Sequence, residues 1–281
     1  MRITVLGMGR MGRALAGRLL DGGHDLTVWN RSPGQAGDVV GRGAREVEDR
    51  REATSGAEVV ASVLTDDRAV TEVLLDGGGP AVAGEGAVVD FSTVAPDTAR
   101  RLADAYGARF AASPVLGAPT ALAGGDATIV VAGPGALVDR LQPFWGSIGP
   151  VRRAGDDPGN ALVVKVLVNY LLMAGLAVLA EATAAGQAAG LSDELLIDLL
   201  QAVAAPNLRN RVEDVVAGEH DGWFPTPMGA KDVHLLVDLA RVHRVGLPVA
   251  SLVAARYDEA AAAGYDEKDI AAIVELCRRH A

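Results

Sequence analysis

MRITVLGMGRMGRALAG, residues 1–17, is the stretch that decides the fold. An apolar run at residues 3–7 leads directly into GMGRMG at 7–12, and a helix-forming stretch continues over 11–21. Strand, glycine turn and helix in that order turn a common glycine pattern into a dinucleotide fingerprint. Gly7 permits the tight turn, Gly9 lets the backbone approach a pyrophosphate, and Gly12 lets helix and strand pack closely. Free amides at the helix start then face the anion. Met8, Arg10 and Met11 complete the candidate cofactor loop. The early arginine and apolar residues imitate a signal peptide, but two further arginines and the spaced glycines interrupt the hydrophobic stretch.

The end of the second strand tells which dinucleotide the loop prefers. Versions that take NAD hold an Asp or Glu there, against the ribose hydroxyls. Here the second apolar run, 26–30, ends on Asn30, followed by Arg31 and Ser32. No carboxylate stands there to repel a 2′-phosphate, and Arg31 can pair with one in a charge-assisted contact supported by the Ser32 hydroxyl. NADP(H) is therefore the favoured cofactor. An Arg31 that only stacks on adenine from solvent would leave NAD(H) in play.

Further β-rich runs stand at 59–64, 87–91, 109–112 and 128–132, with helical stretches such as 96–105 and 136–144 between them. That rhythm predicts an α/β fold, a Rossmann-type doubly wound parallel sheet with its site at the strands' carboxyl ends. The cluster Asp156, Asp157, Pro158, Gly159 ends the rhythm. Only helical patterns follow, at 160–189, 192–202, 207–217, 230–242, 248–263 and 267–280. The expected organisation is a dinucleotide-binding domain at 1–158 and an all-α domain for substrate and dimerisation at 159–281. An interdomain helix at 159–190 joins them, with the catalytic cleft between. The charged run 45–52 reads as a solvated helix face.

At 281 residues the chain is long enough for two cores. Its formal net charge of -10 argues against nucleic acid or an anionic membrane as partner, and 4% aromatic residues leave little for base stacking. The single cysteine, Cys277, excludes an internal disulfide and fits a reducing, cytoplasmic setting. His24, His220, His234, His243 and His280 show no metal-ligand spacing, so no metal is expected.

Residues 161–180, ALVVKVLVNYLLMAGLAVLA, have the length of a membrane span, yet they contain Lys165 and Asn169. A buried helix of a soluble protein is the expected reading. Four residues apart, these two side chains project from one helix face. Desolvation lowers a lysine's pKa by up to roughly 3–5 units, from about 10.4 into the range of general acid–base work. When hydride reaches a carbonyl carbon, a nearby ammonium stabilises and protonates the alkoxide while an amide orients the oxygen. A lysine snorkelling at the helix end, or paired with Glu181, fits this segment alone equally well.

Other blocks weigh in. GMGRMG at 7–12, DFSTVAP at 90–96, SPVLGAPTALAGG at 113–125 and GNALVVKVLVN at 159–169 stand in one order, followed by FPTPMGAKD at 224–232 and YDEKDIAAIVE near the end. Together they resemble the β-hydroxyacid dehydrogenase family, typified by 3-hydroxyisobutyrate dehydrogenase, nearly end to end. The resemblance implies an oxidoreductase passing a hydride between nicotinamide and a small hydroxy acid or its semialdehyde-type carbonyl form. It also implies a carboxyl-terminal domain like that of 6-phosphogluconate dehydrogenase, and a homodimer or homotetramer built mainly through that domain. Lys165 takes the place of the catalytic lysine and Asn169 that of the substrate-orienting asparagine. Thr93 falls by the nicotinamide ribose and substrate, and Leu64, Thr65 and Asp66 fall alongside the cofactor. Lys231 closes over the cofactor, and Phe224 and Asp232 border the substrate pocket. For Asp232 an ion pair or a helix-start carboxylate is the blander reading.

The third block departs from the family. Most relatives carry a serine and two glycines that grip the substrate carboxylate, where this chain has Leu116, Gly117 and Ala118. Gly117 still offers its amide, but Leu116 is bulky and apolar, and Pro119 has no N–H. An apolar substrate portion or a shifted carboxylate site is implied. Two other readings stay open. Imine reductases resemble the family in fold and cofactor use but usually lack the lysine, whose positive charge disfavours an iminium. A non-catalytic NADP-binding sensor would keep the glycine motif without needing the Lys165–Asn169 pair.

Overall fold

Short runs of Val, Ile and Ala, polar only at their ends, make strands that can be buried on both faces. The computed structural model describes residues 1–76, 79–80, 86–204, 206–209, 211–218, 220–244 and 246–278, with side chains left out at Glu181, Ala185, Ala188, Pro206 and Asn207. His280, the end of the helix expected at 267–280 and any Lys165–Glu181 pairing therefore lie outside the described residues. The described strands are β1 Arg2–Leu6, β2 Asp25–Trp29, β3 Arg45–Glu46, β4 Val59–Ser62, β5 Ala87–Asp90, β6 Phe110–Ala112, β7 Val115–Leu116, β8 Thr128–Val131 and β9 Val151–Arg153. Six of them form a sheet in the order β3-β2-β1-β4-β5-β6. All its pairings are parallel. That is the doubly wound order, in which the chain reverses direction of growth beside β1 and opens a crevice at the carboxyl ends of β1 and β4. Ile3 and Val5 of β1 stand between Leu26 and Val28 of β2 on one side and Val59 and Ala61 of β4 on the other. The α/β fold read from the sequence is the fold observed.

Several details differ from expectation. The run at 128–132 does not extend the large sheet; β8 belongs to a second, three-stranded sheet, antiparallel to β7 and parallel to β9. The charged run 45–52 is not one helix face. Arg45 and Glu46 pair with Thr27 and Val28 as an edge strand, and the helix is Arg50–Thr54, whose first turn Asp49 caps by accepting the Glu52 N–H at 2.8 Å. The helix expected at 136–144 is two, Gly135–Arg140 and Gln142–Ile148. Pro143 has no N–H for the preceding turn and starts a new helix instead. For the same reason Pro227 lies in the first turn of Thr226–Val242, which begins four residues before the expected 230.

The chain divides into two compact units, Met1–Lys165 and Val166–Ala281. The second is helical, and its first element is the continuation of the 30-residue helix Gly159–Ala188. Its segment 159–184 is long and apolar enough to cross a bilayer. Along it Val166, Asn169, Met173, Leu176, Ala180 and Thr183 are buried, a spacing of three and four residues that makes one seam. Leu167, Leu171 and Val178 on other faces are 46%, 64% and 67% exposed. Asp269, 2% exposed, ties the unit's closing segment to its centre. It pairs with Arg211 and accepts the N–H groups of Phe224 at 3.0 Å and Ala271 at 3.1 Å.

Gly159, where the long helix starts, is held by the Asp157 carboxylate, which accepts its N–H at 2.9 Å and bonds Arg100 Nε and Nη2 at 3.1 and 2.9 Å. The Arg100 guanidinium lowers the Asp157 pKa below the usual aspartate range. A depressed carboxyl pKa contributes stability that is present above the unfolded value, about 3.9, and lost as pH falls through the folded value. Because both side chains are more than 40% exposed, solvent screens the pair. We expect Asp157→Asn to cost at most about 1 kcal/mol at pH 7 and nothing once the pH is below the folded value. Urea unfolding of both proteins at the two pH values measures this, and an equal difference at both would sink it.

Candidate active site

The glycine turn of the first unit is built by close approach. Gly7 has φ 101°, and a β-carbon there would strike the Val63 carbonyl oxygen. One on Gly12 would strike the Gly7 carbonyl oxygen. A β-carbon on Gly9 would meet nothing within 4 Å, so this position is open to a ligand. Gly9 begins the helix Arg10–Asp21, and no side chain caps it. The first-turn N–H groups of such a helix lack intrahelical acceptors and attract an anion. These residues thus form a cradle that fits a dinucleotide's pyrophosphate. Met8 is buried, Met11 half-buried, and Arg10 exposed at the mouth of the turn.

Asn30, at the end of β2, latches the turn: its Oδ1 accepts the Met8 N–H at 3.0 Å, while its Nδ2 donates to the Ser32 carbonyl at 2.9 Å. The backbone repeats the link, Gly7 N–H to Trp29 O at 2.9 Å. Arg31 and Ser32 are exposed beyond the strand. Arg31 has no ion pair among the described residues.

The loops after β4 and β5 are knotted by polar groups. Asp90, 2% exposed, accepts on Oδ1 from Ser62 Oγ at 2.7 Å, Ser92 Oγ at 2.6 Å and Ser92 N at 3.2 Å. Burial pushes its carboxyl pKa up, and the Ser92 and Ser62 hydrogen bonds oppose that push without cancelling it. Leu64 and Thr65 follow β4, and Asp66 spends its side chain capping the helix Asp67–Leu74 through the Ala69 N–H at 2.8 Å. Asp67 reaches the next loop, accepting from Ala95 N at 2.9 Å and Thr98 Oγ1 at 2.5 Å. Thr93, half-buried, lies in that loop.

Lys165 closes the first unit. It is half-buried and its Nζ donates to the Val115 carbonyl at 2.7 Å, bringing it to the turn Leu116–Gly117–Ala118. Leu116 is half-buried, Gly117 exposed with φ 151°, and Ala118 caps the helix Pro119–Gly124. In the second unit, Asn169 Nδ2 donates to Asp232 Oδ2 at 2.5 Å; the two residues are 7% and 2% exposed. Asp232 Oδ1 lies 3.1 Å from Lys231 Nζ, an ionic contact whose angles fall short of a hydrogen bond. The blander expectation for Asp232, an ion pair, is thus met, and it holds the amide as well. Phe224 stacks on Trp223 with centroids 5.3 Å apart and is 8% exposed in the core of the helical unit. Among the described residues no group of three or more His, Cys, Asp or Glu could hold a metal ion.

A family model described as the NAD binding domain of 6-phosphogluconate dehydrogenase matches residues 2–155, and one described as NAD-binding of NADP-dependent 3-hydroxyisobutyrate dehydrogenase matches residues 159–277. The chain belongs to the 3-hydroxyisobutyrate dehydrogenase family. The chain is 30% identical to 3-hydroxyisobutyrate dehydrogenase of Pseudomonas aeruginosa over 264 residues, 89% of each protein. Glyoxylate/succinic semialdehyde reductase 1 of Arabidopsis thaliana is 28% identical over 286 residues, covering 99% of both chains. The crystal structure of 3-hydroxyisobutyrate dehydrogenase from Salmonella typhimurium is 26% identical, superposes with a TM-score of 0.90, and covers 98% of this chain and 99% of its own. This dehydrogenase is accordingly an NAD(P)-dependent enzyme acting on small hydroxyacid-type molecules.

Sequence reading gave no role to Asp67 and Ser62, and named Asp90 and Ser92 only as part of the block DFSTVAP at 90–96. One signal was available: an acid closing the apolar run Ala87–Asp90 stands where burial demands partners. In the glycine turn, Gly12→Ala should raise the NADPH dissociation constant of the dehydrogenase by at least about tenfold, because the added carbon displaces the Gly7 carbonyl and distorts the cradle. Titration of NADPH fluorescence reads this, and unchanged binding would count against the turn as the cradle.

Proposed function

We propose that this dehydrogenase is an NADP-preferring reductase of small carbonyl acids of the semialdehyde type, and an oxidant of the matching hydroxy acids, with Lys165 as general acid and base. The observation that carries the reading is the Lys165 ammonium held 2.7 Å from the Val115 carbonyl, beside the turn Leu116–Gly117–Ala118 that the family resemblance assigns to the substrate's acid group. A relative named for reduction of glyoxylate and succinic semialdehyde supports the substrate class.

When bound, the reduced nicotinamide supplies a hydride to the substrate's carbonyl carbon. Gly7, Gly9 and Gly12 hold the pyrophosphate, Asn30 keeps their turn in place, and Arg31 with Ser32 takes the 2′-phosphate. Leu64, Thr65, Asp66 and Thr93 flank the rest. Lys165 stabilises the negative charge that grows on the carbonyl oxygen and delivers a proton to it, becoming a neutral amine. In the oxidative direction the amine takes the hydroxyl proton back. The Val115 carbonyl occupies one of the ammonium's three donors and so fixes where the nitrogen sits. Asp232 takes an N–H of Asn169 and so leaves the amide oxygen as the acceptor for a substrate hydroxyl. The Gly117 amide binds the acid group, and Leu116 favours an apolar portion beside it.

NADPH and NADH oxidation against glyoxylate, succinic semialdehyde, methylmalonate semialdehyde and cyclic imines tests this reading. Lys165→Ala should lower turnover of the acids by about 10²–10⁴-fold. Arg31→Ala should raise the KM for NADPH about tenfold and leave that for NADH unchanged, as loss of one charge-assisted hydrogen bond requires. Turnover of imines alone, or activity indifferent to Lys165, would overturn it.

The enzyme is also proposed to be a homodimer through its long helix. A helix apolar on every side is normally enclosed, yet Leu167, Leu171 and Val178 are exposed in one chain. Sedimentation should give twice the monomer mass, and Leu171→Glu should give the monomer. A monomeric wild type would refute the pairing.

A further inference from the structure

We propose that Ser92 is a positioning residue for the dinucleotide, relaying the buried Asp90 carboxylate to the backbone of the loop after β4. The inference rests on the reading that the loops carrying Leu64, Thr65, Asp66 and Thr93 border the cofactor.

The Ser92 hydroxyl has one proton and two lone pairs. Its proton goes to Asp90 Oδ1 at 2.6 Å, and it accepts the Leu64 N–H at 2.9 Å. Each bond orients the other, since the proton aimed at Asp90 leaves a lone pair for Leu64. Ser92 is 2% exposed, so no water can replace either partner at low cost. Its neighbour Thr93 opens the nicotinamide-side loop, and the Ser113 N–H donates to the Asp90 carbonyl at 2.7 Å, anchoring the same strand end from β6.

The consequence reaches the glycine turn. Val63 precedes Leu64, and its carbonyl oxygen fills the place where Gly7 would carry a β-carbon. The Val63 carbonyl is therefore a wall of the cradle, and the Leu64 N–H bonded by Ser92 belongs to the same peptide group. Moving that group moves the wall. Ser62 gives Asp90 a similar bond, at 2.7 Å, yet among the described residues its hydroxyl makes no bond to a loop backbone. Ser62 is thus a control of equal chemistry that contributes to the fold without steering the loop.

Equilibrium titration of NADPH fluorescence, without substrate, on wild type, Ser92→Ala and Ser62→Ala decides the matter, with unfolding midpoints measured alongside. Both variants should lose similar stability. Ser92→Ala should raise the NADPH dissociation constant about tenfold, whereas Ser62→Ala should leave it within about twofold. Ser92→Cys, slightly larger and with a weak acceptor, should shift binding in the same direction and gives the answer if the alanine variant does not fold. Equal shifts for the Ser62 and Ser92 variants, tracking lost stability, would reduce Ser92 to a structural residue. Wild-type binding from Ser92→Ala or Ser92→Cys would overturn the relay while leaving the cofactor reading intact. A wild type that binds neither NADPH nor NADH would remove the reading beneath it.

Discussion

Two β-carbons that cannot exist govern the first unit. The Gly7 carbonyl occupies the place of one on Gly12, and the Val63 carbonyl occupies the place of one on Gly7. Strand β1, the helix after it and the end of β4 therefore meet backbone to backbone. That contact brings the uncapped helix start to the carboxyl edge of the sheet, where the donors of its first turn remain available. The sheet order places β2 and β4 on either side of β1, so Asn30 and Val63 both reach the turn. Without the three glycines the same strands could still pair, but the turn would stand off from its neighbours.

Around this contact, polar groups go inside only where they are paired. Asp90 has three donors on one oxygen, Asn169 has Asp232, and Asp269 has Arg211 with two backbone N–H groups. Burying a carboxylate unpaired would cost several kcal/mol, so each such residue marks a point where distant segments are obliged to meet. Two of these points coincide with residues to which the proposed mechanism gives a role: the loops after β4 and β5 in the first unit, the Asn169 amide in the second. On that proposal, function and fold draw on the same hydrogen bonds.

Lys165 shows how an apolar helix tolerates a cation. It is half-buried and its ammonium is held by a main-chain carbonyl, an arrangement that leaves the charge at a defined point. The three- and four-residue spacing of Val166, Asn169, Met173, Leu176 and Ala180 aligns Asn169 with the buried seam of the helical unit. A change of one residue between Lys165 and Asn169 would turn the amide away from Asp232, since each residue rotates the helix by about 100°.

By itself the sequence determined the alternation of strand and helix, the glycine turn after β1, the missing carboxylate after β2, the change to helices at Gly159 and the two polar residues in an apolar helix. Those are local: hydrophobic period, glycine and proline act within a few residues. Strands as short as Arg45–Glu46, Val115–Leu116 and Val151–Arg153 carry too few residues for a period to show, and only pairing with a neighbour makes them strands. Tertiary structure alone decided that Thr128–Val131 leaves the large sheet and that Phe224 lies in a core. It also chose the partners of the site: Ser92 with Leu64 across 28 residues, Lys165 with Val115 across 50, Asn169 with Asp232 across 63. A side chain's residue type states that it needs a donor or an acceptor. Which group answers depends on the folded path that brings distant backbone within about 3 Å.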